Sequence, residues 1–196
     1  MSDDHKTKMQ AVQADKAARK AELRDPERGL VLVHTGKGKG KTSSAFGVLA
    51  RALGWKQSVG VVQFIKGKWV TGERRFFEDL GVAWHSMGEG FTWDTQDRAR
   101  DIAAAQAAFA KAREMMESGD FDLVVLDEIN IAMRYDYLSV TEVLAGLDAR
   151  HKRTAVILTG RDAKPEICDY ADLVTEMTEI KHPIKAGIKA QRGIDF

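Results

Sequence analysis

Glycine and lysine alternate in Thr35-Gly36-Lys37-Gly38-Lys39-Gly40-Lys41-Thr42, directly after an apolar run, and the pattern implies phosphate chemistry. Glycines permit positive φ and close backbone approach, so successive N–H groups can point at phosphate oxygens. A helix opening behind them adds the partial positive charge of its N-terminus. Lys41 would then meet a phosphate as a point charge, while the Thr42 hydroxyl would ligate magnesium, or manganese in its place. The expected ligand is a nucleoside triphosphate, cradled by Gly36, Gly38 and Gly40. A standard phosphate loop counted back from Gly40-Lys41-Thr42 has its first glycine at position 35, where this chain has Thr35. The motif is therefore one residue short. Lys37 and Lys39 either add field at the polyphosphate or keep the loop solvated.

About 85 residues downstream, Phe121-Asp122-Leu123-Val124-Val125-Leu126-Asp127-Glu128 is an apolar strand ending in two carboxylates. Acids at the carboxyl end of a buried strand can face a magnesium ion beside a phosphate loop. Either Asp127 or Glu128 could be the one that meets the metal. In Gly88-Glu89-Gly90-Phe91-Thr92-Trp93-Asp94-Thr95-Gln96-Asp97, glycine-flanked aromatics precede a helix expected to be capped by Asp94 or Thr95. Phe91 and Trp93 are either core plugs or the lining of a ligand pocket. The segment Gln63 to Arg74, with Trp69 among cations and glycines, reads as a second loop facing a ligand. Thr159-Gly160-Arg161-Asp162 follows a strand, so Arg161 either meets the polyphosphate or stands as a surface arginine. The basic, glycine-punctuated stretch 181–196 reads as a loop and tail over the sheet edge. The sequence contains no evident Ser or Cys nucleophile motif with a partnered histidine.

These residues need a scaffold. Apolar runs at Leu30–Val33, Val59–Ile65, Val82–His85, Phe121–Leu126, Thr154–Thr159 and Leu173–Met177 predict strands. Helical spacing predicts helices over Ser43–Leu53, ending at Gly54 as a cap, and over Asp97–Glu117 and Val140–Ala149. Alternating strands and helices predict an α/β fold, a mostly parallel sheet covered on both faces, with ligands at the carboxyl ends of its strands. Residues 1–28 are a charged arm or exposed helix, and 29–196 form a single α/β domain. At 196 residues a second full domain is not expected. Thirty Lys and Arg against 29 Asp and Glu give a net charge of +1, which counts against a global attraction to nucleic acid. The single cysteine, Cys168, excludes an intramolecular disulfide and fits a cytoplasmic protein. No apolar run is long enough to span a membrane.

Together with Val61-Val62-Gln63-Phe64-Ile65-Lys66-Gly67, Gly90-Phe91-Thr92-Trp93, Val125-Leu126-Asp127-Glu128, Thr159-Gly160-Arg161 and Gly187-Ile188-Lys189-Ala190-Gln191-Arg192-Gly193-Ile194-Asp195-Phe196, the shortened loop resembles the CobA/BtuR family of corrinoid adenosyltransferases. The resemblance implies a P-loop NTPase-like, RecA-like fold and transfer of the 5′-deoxyadenosyl group of ATP to the cobalt of a reduced corrinoid, cobalamin or cobinamide, with triphosphate leaving. It further implies that the nucleotide lies reversed in the loop, that Gly36 to Thr42 hold the triphosphate, and that Thr42 with Glu128 organises the metal. Phe91 and Trp93 would lie beneath the corrin ring and displace its lower axial ligand. The family usually has Asn where this chain has Lys37. A homodimer and a flavodoxin-like or other electron donor are also implied. The residues alone equally support a P-loop ATPase or small-molecule kinase, and less well an ATP-regulated nucleic-acid module.

Overall fold

The structure is a computed structural model that describes residues 2–65, 71–87 and 97–195. Six strands form one sheet: β1 Val31–Thr35, β2 Val59–Gln63, β3 Ala83–Ser86, β4 Leu123–Asp127, β5 Ala155–Thr159 and β6 Leu173–Glu176. Their order is β3-β2-β4-β5-β1-β6, and every neighbouring pair is parallel. This is the expected α/β class with a parallel sheet, with β5 lying between the phosphate-loop strand and the carboxylate strand.

Parallel strands buried on both faces read as unbroken apolar runs, because each face must meet a helix layer. All of β4 is buried, and its residues alternate between two cores. Val124 and Leu126 join Phe109, Met116, Leu147 and Ile167 beneath α4 Arg98–Glu117, α5 Ile129–Arg134, α6 Val140–Ala149 and α7 Pro165–Tyr170. Leu123 and Val125 face the opposite way, toward Phe46, Leu49 and Phe77 of α2 Lys41–Gly54 and α3 Gly72–Asp79. Full burial of a side chain such as Leu126 contributes about 1.5–3 kcal/mol, which holds the strand end that carries the carboxylates.

Several boundaries differ from the sequence expectation. α2 continues through Gly54, and the left-handed residue that ends it is Lys56, at φ 59°. Asp97, rather than Asp94 or Thr95, caps α4 by accepting the Arg100 N–H at 3.1 Å. The loop expected from Gln63 to Arg74 is overlapped at its end by α3, which starts at Gly72 and is capped by the Thr71 hydroxyl; residues 66–70, Trp69 among them, lie outside the described residues. α5 and α7 each have only 6 residues, too short to display a periodic apolar face. The arm includes α1 Ser2–Ala21, whose side chains from His5 onward are exposed. No helix among the described residues is long and apolar enough to cross a membrane.

Candidate active site

The phosphate loop connects β1 to α2 at the carboxyl end of the sheet. Gly36, at φ 95°, lies so close to the chain after β6 that an added Cβ would stand 2.4 Å from the Met177 carbonyl oxygen. That carbonyl accepts the Gly38 N–H at 2.7 Å, while Met177 N–H donates to the Thr35 carbonyl at 2.9 Å. Gly40, at φ 108°, opens α2 without any side-chain cap. The first N–H groups of a helix have no intrahelical acceptor, so they are available to an anion.

Lys41 is 7% exposed, and its Nζ donates to the Gly38 carbonyl at 2.6 Å. Burial lowers its pKa, opposed by the nearby Glu128 charge. Beneath it, His34 is buried with Nδ1 3.3 Å from the Lys41 carbonyl, and burial likewise lowers its pKa. The loop's ammonium is thus held inside the loop's own curve.

Asp127 ends β4 at 2% exposure and is fixed from two strands and the helix α2. Its Oδ1 accepts from the Thr42 hydroxyl at 2.9 Å and the Thr159 hydroxyl at 2.8 Å, and its Oδ2 accepts from Gln63 Nε2 at 3.1 Å. Burial raises its pKa, and these three hydrogen bonds oppose the rise. Glu128 follows in a left-handed conformation, φ 61°, its N–H donating to Thr159 Oγ1 at 2.9 Å. Thr159 therefore orients both acids: its hydroxyl donates to one carboxylate and accepts the backbone N–H of the other. Burial, then repulsion from Asp127, raises Glu128 to a pKa of about 7, against the pull of Lys41 and Arg161.

An open cleft of about 590 Å³ brings together Lys41, Thr42, Asp127, Glu128 and Arg161 with Gly38, Lys39 and Gly40 of the loop. Gly36 lies behind it, under the Met177 carbonyl. Lys37 is exposed on a neighbouring cleft that shares Arg161 and Arg134. The Thr42 hydroxyl donates to Asp127 directly, and Glu128 lines the same cleft. A hydroxyl and two carboxylates are hard oxygen donors that fit magnesium, which takes few protein ligands and completes its shell with phosphate oxygens and water. The raised pKa of Glu128 also fits, since crowded carboxylates invite a cation. Among the described residues no cluster of three or more His, Cys, Asp or Glu is placed to hold a metal.

Phe91 and Trp93 lie outside the described residues. Three contributors were not expected from the sequence. Gln63 and Thr159 steady Asp127, and the C-terminal segment reaches the cleft itself, where Ile194 and Asp195 line it. Asp195 ion-pairs with Lys39 and accepts the Gln191 N–H at 2.9 Å. Lys39 is thus held by a carboxylate of the tail rather than merely solvated. Cys168 is a free, partly buried thiol whose pKa burial raises.

A parallel six-stranded sheet, a glycine-lysine loop between β1 and α2, and a buried Asp127 beside the partly buried Glu128 at the end of β4 define an α/β protein with a P-loop-type cleft. Comparison with known proteins narrows the class. The family model described as ATP:corrinoid adenosyltransferase BtuR/CobO/CobP matches residues 27–196, and the chain belongs to this family of enzymes. It is 53% identical over 194 residues to a corrinoid adenosyltransferase of Pseudomonas aeruginosa, covering 98% of this chain and 95% of that one. It is 45% identical over 196 residues to the corrinoid adenosyltransferase CobA of Salmonella typhimurium, covering 100% of both. A crystal structure of the RadB recombinase aligns at 16% identity and TM-score 0.41, covering 80% of this chain and 77% of that chain.

Proposed function

We propose that this chain transfers the 5′-deoxyadenosyl group of ATP to the cobalt of a reduced corrinoid, complete cobalamin or an earlier form such as cobinamide, and releases triphosphate. The observation that carries the reading is the convergence of Lys41, Thr42, Asp127, Glu128 and Arg161 on one cleft, in a chain of this family. Cobalt, as Co(I), supplies the electron pair that forms the Co–C5′ bond. The C5′–O bond breaks, and its electrons leave on the triphosphate oxygen. The nucleophile thus belongs to the corrinoid, and the protein's task is to hold both substrates in line and receive the charge.

The chain's own residues divide this task. Gly36, Gly38 and Gly40 offer backbone N–H groups, with Lys37 and Lys39 adding field at the rim. Lys41 and Arg161 stand at the departing phosphates. Thr42 with Asp127 and Glu128 would hold a magnesium or manganese ion, which when bound neutralises charge growing on the leaving group. Phe91 and Trp93 pack beneath the corrin ring and displace its lower ligand, and four-coordinate cobalt is then easier to reduce. In this reading the nucleotide lies reversed in the shortened loop.

Co(I) requires a reductant, a flavodoxin-like or other electron donor, and a cytoplasmic setting suits both this supply and the free Cys168. The enzyme acts as a homodimer, with residues 1–28 an arm beside the single domain 29–196. Incubation with ATP, magnesium and chemically reduced cobalamin is expected to convert the Co(I) absorbance to that of an adenosylated product. Well-folded protein that leaves the spectrum unchanged would defeat the proposal.

A further inference from the structure

Thr35 stands where a standard loop has its first glycine, and its side chain makes a contact that glycine could not. Its hydroxyl accepts the backbone N–H of Ala163 at 3.1 Å. Its backbone meanwhile stays in the sheet, paired with Glu176 of β6. The segment it catches, residues 160–163, leads from β5 toward α7 and carries Arg161 at the mouth of the cleft. This turn needs holding at Asp162, which sits at φ 55°, whereas Gly160 takes its φ of 127° without cost. A residue with a Cβ persists in the left-handed region when its surroundings fix it there.

Two hydrogen bonds fix the start of the turn: Gly160 N–H to the His34 carbonyl at 3.2 Å, and Asn130 Nδ2 to the Gly160 carbonyl at 3.2 Å. In its middle, Asp162 meets Arg134 at 2.8 Å, but both side chains are nearly half exposed and such pairs are weak. The Thr35 hydroxyl is the tie at the far end. Arg161 makes no hydrogen bond or ion pair of its own among the described residues, so the backbone on either side of it decides where it points. Its charge is felt at both Lys41 and Glu128.

We propose that Thr35 is a positioning residue: by holding Ala163, its hydroxyl directs the Arg161 guanidinium at a polyphosphate in the cleft. The glycine missing from the loop is then the replacement that creates the anchor. The proposal rests on the nucleotide reading of the cleft given above. With glycine at position 35 the far end of the turn would lose its hydrogen bond and keep only the packing of Ala163 against the core.

Thr35→Val keeps the shape of the side chain and removes the acceptor. The test measures amide hydrogen exchange at Ala163 and the Kd of magnesium-ATP and of inorganic tripolyphosphate, in the wild-type chain, Thr35→Val, Thr35→Ser, Arg161→Gln and the Thr35→Val/Arg161→Gln double variant. Thr35→Val is expected to speed exchange at Ala163 and weaken both ligands about fivefold, the worth of one hydrogen bond. Thr35→Ser recovers the protection and most of the affinity. In the Arg161→Gln background Thr35→Val changes affinity less than about twofold, because the group it directs is gone. Losses that multiply in the double variant, or a deprotected Ala163 with unchanged affinity, would overturn the proposal. A wild-type chain that binds neither ligand while Ala163 stays protected would overturn the cleft reading instead. If Thr35→Val fails to fold, as judged by circular dichroism, Thr35→Ala carries the same expectations.

Discussion

Replacing Glu128 with glutamine is expected to cripple the enzyme and stabilise the ligand-free protein. Folding moves this carboxyl from its ordinary 4.5 to about 7, chiefly through burial and then through the charge of Asp127. The folded chain therefore holds the proton more tightly than the unfolded one. Ionisation costs stability as pH rises from 4.5 to 7, and the whole penalty is present above 7. The displacement corresponds to about 3 kcal/mol at most, and sharing with Asp127 leaves about 1–3 kcal/mol to the Glu128→Gln change. In a chain of this size that raises Tm by about 3–10 °C. The assay is urea unfolding and thermal melting of both proteins at pH 8 and pH 5, with chelator present and no nucleotide. Glu128→Gln should be the more stable at pH 8, with most of the gap closed at pH 5. Magnesium and ATP should narrow or reverse it. A variant less stable at pH 8, or an equal gap at both pH values, would refute the account of a carboxylate held unfavourably by burial and by its neighbour Asp127.

Four further changes probe other parts of the site. Lys41→Met removes the ammonium folded over Gly38 and should lower kcat about a hundredfold or more in single-turnover absorbance assays, while the fold is retained by circular dichroism. Thr159→Val leaves the Glu128 N–H without its acceptor and Asp127 without one donor, so urea unfolding should report a loss of about 1–3 kcal/mol alongside reduced turnover. Asp195→Asn releases Lys39 from the tail and should tighten ATP binding by no more than about fivefold in calorimetric titration; weaker binding would mean the tail carboxylate helps hold the nucleotide. Trp93→Ala should impair adenosylation that starts from Co(II) more than adenosylation from prereduced Co(I), and equal losses would remove the ligand-displacement role from this residue.

The strands and the phosphate loop were legible because a buried parallel strand and a glycine-rich phosphate loop each leave a local pattern. Thr42 and Asp127 hydrogen-bond across 85 residues; the two motifs put the strand-end acids beside the loop without marking which of them Thr42 meets. α5 and α7 were not anticipated, since 6 residues give less than two turns of periodicity. α3 did leave a signal, Thr71 as cap with Glu73 in its first turn, but the surrounding glycines and cations read as loop. The supports of Asp127 depend on strand order. Gln63 faces it because β2 pairs with β4 in that register, and Thr159 reaches it because β5 lies on the other side. Neither fact has a local sequence mark. The same holds for Asp195, which meets Lys39 from 156 residues away, and for Thr35, whose departure from glycine was visible while its partner at Ala163 was not.

The central claim is that this cleft uses ATP as an adenosyl donor, and the phosphorus-containing product tests it most directly. With ATP, magnesium and chemically reduced corrinoid, phosphorus NMR of the reaction should reveal one triphosphate released for each adenosylated corrinoid formed. ADP with phosphate, or a phosphorylated acceptor, appearing in step with corrinoid consumption would contradict the account and make the protein a phosphoryl-transfer enzyme.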